Sequence, residues 1–284
     1  MRKIPVSALA LAFSINSGAC AIAAPPAIWS QPTKPFKITD NIYYVGTRGL
    51  ASYLLLSDGR AILLDGTLAE NAGPIEDNIE ALGFKLEDVK IILNSHAHYD
   101  HAAGIAQLKR DTGATFIAME QDKRALESGT PEGATNYGVI RFPAVKVDKV
   151  LHDGDVVALG ELRMTATLTP GHTKGCTTWS LKDTDEGMER QVIFPCSISV
   201  AGNALVGNRG YPGIVADFRT SFERLGAMKA EIVLPSHPQV TGLFERKAKL
   251  DAGDKAAFVE PGLLHDIVEQ SRIAFEKELE AEQK

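Results

Sequence analysis

The chain has 284 residues, of which 44% are hydrophobic, and a formal net charge of −6. That hydrophobic share supports a sizeable core and excludes a disordered chain. The acidic balance argues against a nucleic-acid binder, which would carry a basic patch.

In chain order, the first feature is the leader. Arg2 and Lys3 precede an apolar run from about Val6 to Ile15, and Ala21-Ile22-Ala23 matches an A-x-A cleavage pattern. This is the pattern of a secretory signal peptide over residues 1–23. The run is too short to span a bilayer. Residues 24–284 are then expected to form one exported, periplasmic domain with no membrane anchor. Cleavage removes Cys20 and leaves Cys176 and Cys196 in an oxidising compartment, where thiols pair.

NIYYVGT, ASYLLLS and AILLDG read as three successive strands, the last two joined by the turn signal SDGR. NAGPIEDNIEALGF reads as a helix with Ile75, Ile79 and Leu82 on one face. VKIILN is a continuous apolar run, predicted to be a strand buried on both faces. The segment SHAHYDH follows it directly. AAGIAQLKRDTG then reads as a helix, ATFIAM as a strand, and ESGTPEGATNYG as a Gly-rich loop. Further on, DGDVVALGELRMTATLTPG predicts two strands ending at Pro170-Gly171. CTTWSLKD and RQVIFPCSISV predict a hairpin, DFRTSFERLGAM a helix, and AEIVLPSH a strand. The last 23 residues read as a helix with a charged, frayed end. Two strand-rich halves with interspersed helices suggest two packed sheets with helices outside.

The histidines are unevenly placed. Five of the seven fall at three predicted strand ends: His96, His98 and His101 in SHAHYDH, His172 in LTPGHTKG and His237 in VLPSHPQ. His96 and His98 are two apart, so an extended backbone puts both rings on one side. Asp100 lies among them. Imidazole and carboxylate are zinc donors, and a metal is the partner that makes burying them affordable. Five histidines and an aspartate exceed one tetrahedral zinc and divide into two sites, the arrangement of dinuclear hydrolases. His152 and His265 lack this context and read as structural or surface residues.

The H-x-H-x-D-H pattern of His96, His98, Asp100 and His101, with His172 and His237 downstream, resembles the metallo-β-lactamase superfamily. The likeness runs from about Ile38 to Ile273. It implies an α+β fold, an αββα sandwich of two mixed sheets packed together with helices on the outer faces. FPCSISVAG carries no acid where glyoxalase-II-like and lactonase-like members hold a metal-bridging aspartate. GHTKGCTTW and CSISVAG resemble the third subclass of true metallo-β-lactamases. By that resemblance one zinc is held by His96, His98 and His172, and a second by Asp100, His101 and His237, giving two Zn2+ per chain. Asp100 also orients the nucleophile, Ser197 and Ser199 lie near the substrate carboxylate, and Asp65 supports the metal loop. Ser197, rather than Cys196, is taken to face the metals, because a one-residue slip on a strand reverses the face.

The implied activity is hydrolysis of the β-lactam amide of penicillins, cephalosporins and carbapenems by a zinc-activated hydroxide, without an acyl-enzyme. The implied partner is a small-molecule β-lactam, and the protein is expected to be a monomer. The same ligands would serve an exported dinuclear zinc hydrolase of a lactone or thioester. A non-enzymatic metal binder would instead need closed coordination. Trp179 and Tyr211 read as packing residues. Cys176 and Cys196, on the two arms of the predicted hairpin, are expected to form a disulfide.

Overall fold

A computed structural model describes residues 24–284; the expected leader over residues 1–23 lies outside the described residues. The first half of the chain forms a seven-stranded sheet in sequence order. Its strands are β1 (Phe36–Lys37), β2 (Ile42–Tyr44), β3 (Tyr53–Ser57), β4 (Arg60–Leu64), β5 (Val89–Leu93), β6 (Thr115–Met119) and β7 (Lys149–Leu151). β1 to β4 are antiparallel, and the β3–β4 turn places Asp58 and Gly59 at positive φ. From β4 onward the pairing is parallel, which requires long crossovers. α1 (Ala72–Ala81), α2 (Tyr99–Ala102), α3 (Ile105–Thr112) and α4 (Glu120–Ser128) lie on those crossovers.

The second sheet has the order β12-β11-β10-β9-β8. It comprises β8 (Val156–Leu159), β9 (Leu162–Leu168), β10 (Thr177–Asp185), β11 (Met188–Phe194) and β12 (Ile232–Val233). Only the β11–β12 pair is parallel, and its crossover carries α5 (Ile214–Ala227). α6 (Leu243–Asp251) and α7 (Leu263–Glu282) complete the chain.

Alternation along the strands sorts side chains into layers. Ile62 and Leu64 face inward with Leu55 and Leu93, and meet Met164, Trp179 and Phe194 from the other sheet. Ala61 and Leu63 face outward against Ile75, Ile79, Ile105 and Leu108. On the far side Ile193 and Val233 pack on Phe218, Phe222, Val268 and Phe275. The result is the expected αββα sandwich of two mixed sheets.

Several local expectations change. The helix read through AAGIAQLKRDTG is broken at Gly104, where a Cβ would lie 2.2 Å from the Gly66 carbonyl oxygen; close packing of two backbones divides α2 from α3. α4 and α6 lie in segments where no helix was read. The strand in AEIVLPSH shrinks to Ile232–Val233, and β5 leaves Lys90 exposed. The C-terminal helix is tied down rather than frayed. The Glu282 carboxylate accepts the backbone N–H groups of Leu205 and Val206 at 2.8 and 2.9 Å. Cys176 and Cys196 are disulfide-bonded, with Cα atoms 5.8 Å apart at the open end of the β10–β11 hairpin. Among the described residues no helix is long and apolar enough to cross a membrane.

Candidate metal centre

The site forms where β5, β9 and β12 end together. After β5 the chain is not the straight extended stretch expected: it bends at Ser95 and Ala97, reaches His98 (φ −107°, ψ 156°) and turns into α2. The bent loop still brings His96 and His98 together, and the helical turn swings Asp100 and His101 toward a neighbouring point. His172 follows Gly171, whose φ of +132° suits glycine, and a Cβ there would lie 2.7 Å from the Phe218 ring. The His237 loop docks onto the other sheet: Tyr53 Oη donates to the Pro235 carbonyl at 2.8 Å, and Ala51 N–H to the Ser236 carbonyl at 2.8 Å. Thr177 N–H donates to the Ser95 carbonyl at 2.8 Å and Trp179 Nε1 to the Asn94 carbonyl at 3.1 Å, joining both sheets at this edge.

All six candidate ligands converge. His96, His98 and His172 each bring a donor atom within 4.8 Å of the others, and His98 Nδ1 lies 3.0 Å from His172 Nε2. In the second set His101 Nε2 is 3.2 Å from His237 Nε2 and 3.2 Å from Asp100 Oδ2, and His237 Nε2 is 3.4 Å from Asp100 Oδ2. Donors 2.0–2.1 Å from a tetrahedral zinc lie about 3.3 Å apart, so this triangle has the size such an ion needs. The His96 and His101 rings, 4.3 Å between centroids, bring the triads side by side. The buried His96 Nε2 has no hydrogen-bond partner among the described residues, an orphan that a cation would satisfy. The donor set therefore fits a pair of metal ions.

The supporting shell is dense. His172 Nδ1 donates to the Ser199 carbonyl at 2.8 Å, which leaves Nε2 as the lone-pair donor. Ser95 Oγ lies 3.0 Å from His96 Nδ1. Asp65, at positive φ, accepts from Asn94 Nδ2, Ser95 N–H and Ser95 Oγ at 3.0, 2.6 and 2.6 Å, and its Oδ2 lies 3.5 Å from His101 Nδ1. Asp65 thus clamps the metal loop as the resemblance implied. Asp122, which sequence reasoning missed, is buried on α4 and accepts from Ala97 N–H, Thr173 Oγ1 and Gly175 N–H, each at 2.8 Å. It joins the His96–His98 loop to the His172 loop. Its only signal in the sequence is an acid near the start of an unread helix.

Electrostatics separates the triads. Burial holds His96 and His172 well below the usual imidazole range and His98 down to about 4, so these rings are neutral at neutral pH. Burial also opposes charge on His101, but the Asp100 and Asp65 carboxylates outweigh it and raise the ring to about 10. Asp100 is held well below the carboxylate range despite its burial, chiefly by His101. Burial pushes Asp122 up to about 6 against its three hydrogen bonds.

Ser197 and Ser199 lie at the mouth, with hydroxyls 3.0 Å apart, in a cleft of about 450 Å³ that also contacts Trp29, Tyr137, His98 and His237. The disulfide removes Cys196 as a thiolate ligand, although both sulfurs lie within 4.8 Å of a His96 nitrogen. His152 and His265 are exposed and stand apart from the cluster. Trp179 and Tyr211 are buried packing residues, as read.

Known proteins share this arrangement of the chain. A family model described as Metallo-beta-lactamase superfamily matches residues 45–237. The structure of BJP-1, a subclass B3 metallo-β-lactamase of Bradyrhizobium japonicum, matches with a TM-score of 0.86 and 42% identity, covering 90% of this chain and 97% of that one. FEZ-1, a metallo-β-lactamase from Legionella gormanii, matches at 0.84 and 40%, covering 90% and 98%. Among curated proteins, a hydroxyacylglutathione hydrolase of a Bradyrhizobium species is 36% identical over 105 residues, 37% of this chain and 33% of the relative. Another from Fuscovulum blasticum is 25% identical over 222 residues, covering 76% and 72%. The chain spans about a third of the length of the first curated relatives it matches.

Proposed function

Because the chain belongs to the metallo-β-lactamase superfamily, we propose that it is a periplasmic enzyme that hydrolyses the amide bond of β-lactam antibiotics with two zinc ions. The observation that carries this reading is the pair of adjoining triads with Ser197 and Ser199 at the mouth. The match to subclass B3 enzymes over nearly their whole length supports it.

In this reading His96, His98 and His172 hold one ion, and Asp100, His101 and His237 the other. Bound zinc supplies Lewis acidity and a hydroxide nucleophile at neutral pH. The neutral rings of the first triad present lone pairs without first losing a proton. Asp100 accepts a hydrogen bond from the attacking water and so orients it toward the lactam carbonyl. Ser197 and Ser199 donate to the substrate carboxylate and fix its orientation. Asp65 and Asp122 hold both loops in place before substrate arrives. The leader over residues 1–23 and the Cys176–Cys196 bond support export to an oxidising compartment.

Hydrolysis of a thioester or lactone is the second reading, favoured by the hydroxyacylglutathione hydrolase matches. One panel separates the two: nitrocefin, a carbapenem, an acyl-homoserine lactone and a glutathione thioester, each with and without chelator. We expect turnover of the β-lactams, abolished by chelation and restored by zinc. Turnover of the thioester alone, or full activity in metal-free protein, overturns the proposal.

A further inference from the structure

Four of the candidate ligands have a polar group that orients them. His96 faces Ser95 Oγ, His172 is fixed by the Ser199 carbonyl, His101 lies against Asp65, and Asp100 is paired with His101. His237 differs. Its buried Nδ1 has no hydrogen-bond partner among the described residues, and 21% of its side chain is exposed. The torsion that spins an imidazole about its Cβ–Cγ bond is broad, so a ring without a partner needs another restraint.

That restraint is Trp29. Its ring lies 5.5 Å from the His237 ring, tilted by 51°, and 6.2 Å from Tyr99. Trp29 belongs to neither sheet; it sits on a short 3-10 turn, Ala27–Ser30, close to the expected start of the mature chain. The turn is nevertheless strapped down. The Trp29 carbonyl accepts from Thr47 Oγ1 at 2.8 Å and Asn71 Nδ2 at 2.9 Å, and Arg48 N–H donates to the Gln31 carbonyl at 2.9 Å. Gly49 leaves room for the indole: a Cβ there would lie 2.8 Å from Trp29 Cδ1. Two side-chain hydrogen bonds to one carbonyl fix the backbone from which the indole projects.

We propose that Trp29 is a positioning residue for His237, aiming its Nε2 at the second metal by packing where a hydrogen bond is missing. This rests on the dinuclear reading above. The segment ahead of β1 then completes the metal centre, and its attachment through Thr47 and Asn71 is part of the site.

The test is zinc competition against a chelator of known affinity, on the full mature chain, with thermal unfolding in parallel. Wild type is expected to take up two ions. Trp29→Ala should keep the first at wild-type affinity and bind the second at least about 10-fold more weakly, the range seen when a ligand loses its outer support. Trp29→Phe, which restores an aromatic wall, should recover most of the second-site affinity. Trp29→Leu, which keeps the site apolar but not flat, should behave like alanine and serves if the alanine variant does not fold. Unchanged second-site affinity in a folded Ala or Leu variant overturns the role of Trp29, as does equal loss of both ions. Fewer than two ions in wild type overturns the dinuclear reading instead, and this proposal with it.

Discussion

The two triads are neighbours built on different principles. His96, His98 and His172 are three buried rings with no carboxylate among them, and His96 and His172 are oriented by Ser95 Oγ and the Ser199 carbonyl. Asp100, His101 and His237 mix a carboxylate, a histidine held between two acids, and a partly exposed ring held by packing. In the first set the main energetic cost is desolvation of a protonated ring. In the second, the Asp100 charge helps draw in a cation but also competes for it by protonating His101. The cluster therefore joins a neutral half to a charged half.

The sharpest way to break this division is to remove one ligand from each side. His172→Ala should empty the first position and His237→Ala the second, each lowering bound zinc from two ions to one. Hydrolysis should fall by more than the 10–100-fold typical of losing an outer partner. Metal analysis beside steady-state rates checks both. The exposed His152→Ala should leave rates unchanged, and a comparable loss there would mean that the ligand sets are wrongly drawn.

Asp122 sharpens the comparison from behind, because its three donors, Ala97, Thr173 and Gly175, lie beside or near His96, His98 and His172 in the chain. Asp122→Ala strands the N–H groups of Ala97 and Gly175 and the Thr173 hydroxyl. We expect a 10–100-fold loss of first-site zinc affinity and about 1–3 kcal/mol of stability for each buried donor left unpaired. Chelator competition and urea unfolding measure the two effects. A preferential loss at the second site would contradict the division.

The division also shows in the pH dependence of chelator-treated protein. His98 titrates near 4 when folded and near 6.5 when unfolded, so below 6.5 the unfolded chain binds the extra proton. Stability should therefore fall as pH drops from about 6.5 toward 4, by on the order of 3 kcal/mol for this ring. His101 has the opposite sign. Its folded value is raised to about 10, so its contribution is present below 6.5 and is lost as pH rises from there toward 10. Melting temperature against pH should show both arms, and His101→Asn should remove only the alkaline one.

Much of this was legible before any coordinates. Histidines gathered at three strand ends, alternation in the strands and the cysteines on two hairpin arms are local patterns, each expressed within a few residues or one hairpin. Two packed sheets with helices outside follow from the run of strands and helices, and two sites from the ligand count; the assignment of each ligand to its set came from resemblance, since spacing alone could not say that His101 would face His237 across 136 residues. The short helices α4 and α6 were missed because nine residues offer little more than two turns of periodicity. Asp122 and Trp29 were invisible for a deeper reason. Asp122 acts by accepting backbone N–H groups, which nearly every residue type supplies, from segments 25 and 53 positions away. Trp29 acts through a ring face set by hydrogen bonds from Thr47 and Asn71. The sequence determined which donors were available and which strand ends carry them. Only the packing of the two sheets decided which donors meet and what holds them still, because those contacts join backbone and ring surfaces that no local pattern encodes.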